Sequence, residues 1–139
     1  MQAVFISALL AVGAATASAA LTCEVANACD VMAGRGNCNP AFAMVDRFQL
    51  SLNEGNLELS DVVHNGVQVQ SKAMVFQSKG DPDTGFFSGH VPPSLEQQAA
   101  MVFSLFRQND MHIFVWSYHR ATEYFPVGTV ITGNCKGAL

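Results

Sequence analysis

Residues 47–70, RFQLSLNEGNLELSDVVHNGVQVQ, carry the pattern that decides the fold class. Phe48, Leu50 and Leu52 alternate with Arg47, Gln49 and Ser51, a period of two that gives a strand one buried and one wet face. Asn53-Glu54-Gly55-Asn56 supplies a turn and Leu57-Glu58-Leu59-Ser60 resumes the alternation, so the segment reads as a hairpin. Asn65-Gly66 marks a second tight turn, because both residues tolerate positive φ at little cost. In the strand that follows, Val67 and Val69 alternate with Gln68 and Gln70. The apolar residues then change parity through Ala73, Met74, Val75 and Phe76, which predicts a bulge within residues 71–74.

Working outward toward the C-terminus, residues 79–85 (KGDPDTG) read as a loop, and residues 86–91 as a short strand ended by Pro92-Pro93. Ser94-Leu95-Glu96-Gln97 satisfies a capping box, and Leu95, Ala99, Val102, Phe103 and Phe106 would share one helical face. Residues 101–106 (MVFSLF) are rich in strand formers, however, and Gln108-Asn109-Asp110 forms a polar tip before the β run 111–118 (MHIFVWSY). The expectation for residues 95–107 is one short helical turn followed by a hairpin. A final strand covers residues 127–135 (VGTVITGNC). Toward the N-terminus, residues 20–41 read as an irregular segment clamped by cystines, with Gly34-Arg35-Gly36-Asn37 as its turn.

Short strands joined by tight turns, with no helix long enough for a crossover, predict a mainly β domain. The expected architecture is an antiparallel meander closed as a small calycin-like barrel, with a β-sandwich as the alternative. The ending Thr132-Gly133-Asn134-Cys135 resembles that of small exported calycin-like barrels, and this likeness implies fold alone.

Residues 3–12 (AVFISALLAV) form an uncharged apolar run, and Ala17-Ser18-Ala19 fits a signal-peptidase site. Residues 1–19 are thus expected to be a signal peptide without a basic n-region, and residues 20–139 a single disulfide-bonded domain that is periplasmic or secreted. Half the residues are hydrophobic and 13% charged, which excludes disorder. A net charge of −4 supplies no cationic footprint for nucleic acid, so none is expected as a partner.

Four cysteines, Cys23, Cys29, Cys38 and Cys135, follow the cleavage site and read as two disulfides, since the spacing lacks zinc knuckles. Cys38 lies just before the first clear strand and Cys135 ends the last, so in a closed meander the expected pairs are Cys38–Cys135 and Cys23–Cys29. The competitor pairs Cys29 with Cys38 and Cys23 with Cys135.

No nucleophile elbow, zinc helix or phosphate loop occurs, and Asp81-Pro82-Asp83-Thr84 departs from a calcium loop at both its sixth and twelfth positions. The chain has four histidines, of which His112 and His119 are an odd number of residues apart and so point to opposite faces of one strand. Phe114, Trp116 and Tyr118 share one face of that strand, and aromatics with a polar handle suit a ligand-lined cavity or a partner surface. The reading is a non-enzymatic exported binding module, taking a small apolar ligand or another envelope protein, with no cofactor and no membrane span after processing. The alternatives are a histidine-dependent hydrolase or metal enzyme using His90, His112 or His119, and a structural envelope protein without ligand.

Overall fold

The computed structural model describes residues 19–32, 35–40, 43–70, 74–81, 86–91, 99–121 and 126–139. Residues 1–18 of the expected signal peptide 1–19, the expected capping box 94–97, the tip 82–85 of the expected loop and the turn residue Gly34 lie outside them. Ten strands form one antiparallel sheet: β1 (Ala20–Met32), β2 (Arg35–Cys38), β3 (Arg47–Asn53), β4 (Asn56–His64) and β5 (Val67–Gln70) in the first half. The second half holds β6 (Met74–Asp81), β7 (Phe86–Val91), β8 (Ala99–Gln108), β9 (Met111–Ala121) and β10 (Pro126–Gly137). Eight of the ten, all but β2 and β5, close a barrel in the order β1-β3-β4-β6-β7-β8-β9-β10 and back to β1. The closing ladder runs from Leu21 opposite Gly137 to Met32 opposite Val127.

The two turns expected in residues 47–70 are present: Glu54, Gly55, Asn65 and Gly66 all have positive φ, the geometry that matches strand twist across a two-residue loop. From Val62 opposite Gln70 to Leu59 opposite Met74, β4 advances three residues while its partner advances four. The bulge expected within residues 71–74 falls on a stretch of which 71–73 lie outside the described set.

Three expectations are corrected. The N-terminal segment is not irregular, for β1 is the longest strand of the barrel. Leu21 and Cys23 face inward and are fully buried, so a half-cystine acts there as an apolar core residue within a period-two strand. Strand residues replace the expected loop at 79–81, whereas the hairpin expected after the helical turn is present as β8 and β9, the turn itself falling at residues 95–98 outside the described set. The bridges are Cys23–Cys135 and Cys29–Cys38, not Cys38–Cys135 and Cys23–Cys29. Cys38 sits on β2, which folds back on β1 directly opposite Cys29, while the strand beside the last one is β1 itself, carrying Cys23 opposite Cys135. Cys23 and Cys29 share one strand and are held roughly 20 Å apart by its rise, far beyond disulfide reach.

The interior is packed with rings. Phe48 meets Phe114 edge-on at 5.0 Å, Phe103 stacks on Phe114 at 5.6 Å, and Phe76 lies 5.5 Å from Phe103. Leu21, Leu50, Leu57 and Leu59 complete the core from β1, β3 and β4. The middle layers of the interior are thus apolar.

Candidate functional site

Antiparallel register places inward residues in rows across the wall. One row joins Phe114 to Gly133 on β10 and Leu105 on β8, and all three are buried. The next row runs Ala28, Ile131, Trp116, Phe103 and Gly89. The last runs Asp30, Thr129, Tyr118, Met101 and Val91, every one half-buried. It forms a rim at one end of the barrel. Segments 33–46 and 65–73, which carry β2 and β5, and the connections 92–98 and 122–125 join strands at this end, while the shorter segments 54–55, 82–85 and 109–110 join them at the other. Long connections gathered at one end of a rigid barrel are the usual place for a binding site.

Trp116 lies directly below the rim, 8% exposed, with its ring 6.0 Å from Phe48 and 6.4 Å from Phe76. Its Nε1 is buried and finds no hydrogen-bond partner among the described residues. An orphaned buried N–H costs about 1 to 3 kcal/mol, so such groups are rare unless something else occupies them. At the rim, Thr129 Oγ1 donates to Asp30 Oδ1 at 2.7 Å, in the row that also holds Tyr118, Met101 and Val91.

The aromatic trio predicted from sequence is therefore divided by depth. Phe114 belongs to the fully buried core, Trp116 to the layer beneath the rim and Tyr118 to the rim itself. Asp30, Thr129, Met101 and Val91 escaped the sequence reading, because their juxtaposition depends on register across five strands. The nearest sequence signal is parity: Met101 continues the inward face of Phe103 and Leu105.

The histidines are scattered. His112 faces inward in the row of Cys135 and Arg107, at the end opposite the rim, while His119 and His90 are exposed on outward positions. Burial, aided by the Arg107 guanidinium, holds the His112 imidazole below its ordinary pKa. His64 Nδ1 stands 3.5 Å from Asp46 Oδ1, and its Nε2 meets Asn65 Nδ2 at 3.0 Å. Asp46 also accepts from the Asn65 backbone N–H, so this carboxylate braces the β4–β5 turn. Among the described residues no group of three or more His, Cys, Asp or Glu side chains is placed to hold a metal ion. Two open grooves of about 290 and 300 Å³ lie on the outer surface, one beside Arg47 and Asp61, the other beside Glu24 and Lys136.

No protein-family model matches the chain, and no curated protein or solved structure matches it significantly.

Proposed function

We propose that the chain is an exported, non-enzymatic binding module that takes a small, mainly apolar ligand at the rim end of its barrel. The ligand rests on Trp116, accepts a hydrogen bond from its Nε1, and contacts Tyr118, Met101 and Val91. The observation that carries this reading is the orphaned indole N–H beneath a half-buried, mixed polar and apolar rim. The two disulfides fit an oxidising compartment and support export, as does the small-residue site ending at Ala19. Periplasmic or secreted residence follows from that reading.

The test uses N-phenyl-1-naphthylamine, an uncharged amphiphile that brightens in apolar surroundings, and a medium-chain fatty acid as competitor. Because Trp116 is the one tryptophan of the chain, its emission reports the same event from the protein side. Saturable binding that quenches Trp116, and that weakens at least tenfold in both Trp116→Phe and Tyr118→Ala, is the expected result. Binding that ignores both substitutions, or no binding of either probe, would sink the reading. The second reading, a structural protein without ligand, is favoured by the ring-filled interior below Trp116 and would then take its place.

A further inference from the structure

Asp30 is half-buried on an inward position of β1, and its carboxylate accepts a hydrogen bond from Thr129 Oγ1. Among the described residues the one ion pair is His64–Asp46, so Asp30 has no counter-charge there. Asp46, at the same end of the barrel, is engaged by His64 and by the Asn65 backbone N–H. Thr129, Tyr118, Met101 and Val91, the other members of the row of Asp30, are uncharged. Arg120, two residues beyond Tyr118, is exposed and unpaired with Asp30. A partly desolvated carboxylate is costly unless a cation balances it. Tyr118 in the same row, and Trp116 one inward step below, add aromatic rings, whose faces attract a cation. Trp116 Nε1 makes the opposite demand: a buried N–H without a partner needs an acceptor, which an ammonium group lacks.

We infer that the ligand of the rim is an amphiphilic organic cation, with an ammonium group between Asp30 and Tyr118, an acceptor oxygen on Trp116 Nε1 and a short apolar chain along Met101 and Val91. The inference rests on the binding reading above and adds to it the sign of the ligand's charge. Asp30 and Tyr118 are two strand spacings apart, about 10 Å between backbones, a gap that their side chains and a methylated ammonium together can fill. Trp116 lies about 7 Å deeper along β9, so the oxygen follows the nitrogen by a few atoms, as in an amino ester. An amphiphilic anion would satisfy the indole but set its charge against Asp30. Arg120, in solvent, offers such an anion only a screened attraction.

Displacement of N-phenyl-1-naphthylamine tests this with three derivatives of hexanoic acid: hexanoylcholine, its neutral isostere 3,3-dimethylbutyl hexanoate, and hexanoate itself. Trp116 emission follows each titration from the protein side. The expected result is that hexanoylcholine competes at least tenfold more strongly than the isostere, with hexanoate the weakest of the three. Asp30→Asn, which keeps the oxygen that accepts from Thr129, brings the choline ester and the isostere to within about twofold of each other. Asp110→Asn, in the turn at the opposite end, leaves the preference at tenfold or more. Equal competition by ester and isostere in the wild type, a preference that survives Asp30→Asn, or hexanoate as the strongest competitor overturns the inference while apolar binding at the rim stands. Failure of the neutral probe and of all three derivatives to bind removes the binding reading itself, and the inference with it.

Discussion

A methyl group on Gly133 would collide with the Glu24 carbonyl oxygen and the edge of the Phe114 ring, while a Cβ on Gly36 would meet nothing within 4 Å. The difference has a local cause: β1 shifts register between Val25 and Asn27, opposite Gly133, and the two backbones close on each other there. Gly133→Ala should cost about 3 kcal/mol or more in urea unfolding, at the upper end for overpacking. Gly36→Ala should stay within about 0.5 kcal/mol. A second single-residue effect concerns His112. Its folded pKa lies below its ordinary 6.5, so the folded chain binds fewer protons than the unfolded one across that interval. The stability it contributes is complete above about pH 6.5 and is lost as the pH falls from there to the folded pKa. The difference in urea midpoint between wild type and His112→Gln should therefore shrink on acidification through that window. A constant difference would rule the effect out.

Elements differ in how well the chain announces them. β3, β4, β5, β9 and β10 are legible because alternation and Asn-Gly or Glu-Gly turns agree, and local rules suffice where local rules decide. β1 was hidden because its inward face is written partly in cysteine and broken by a register shift, so two short alternations of opposite phase replace one long one. β8 was ambiguous because its apolar residues satisfy both periods, and only pairing with β7 and β9 decides for the strand. The two bridges act on unequal elements. Cys23 and Cys135 are fully buried, while Cys29 is half-buried and Cys38 exposed at the β1–β2 hairpin. Mild reductant should therefore open Cys29–Cys38 first, giving a folded species with two titratable thiols. Replacing Cys23 and Cys135 by Ala should cost about 5 kcal/mol, against about 2.5 for Cys29 and Cys38, since they close loops of 112 and 9 residues. Equal losses in thermal or urea unfolding would show that loop closure is not what the bridges contribute.

At the scale of the molecule, the closed antiparallel barrel was legible from strand count and turn spacing, whereas the rim was not. Asp30, Thr129, Tyr118, Met101 and Val91 meet only because ladders over five strands come into one register, information that no single segment carries. Closure also bears on how the chain acquires its bridges. The half-cystines in the order 23, 29, 38, 135 pair first with last and second with third, one loop nested within the other. A chain that crosses a membrane N-terminus first meets the oxidant with Cys23, Cys29 and Cys38 while the partner of Cys23 trails 112 residues behind. For a chain exported in that way, as proposed above, vectorial oxidation would favour joining Cys23 to Cys29, the pair that the finished strand holds apart, and the native set would be reached by reshuffling. Production in a host lacking its thiol–disulfide isomerase should yield less folded protein and a trapped isomer whose peptide map links Cys23 to Cys29. An undiminished yield would mean that β1 is already extended when its cysteines emerge, and that the first strand waits, unpaired and correctly shaped, for the last.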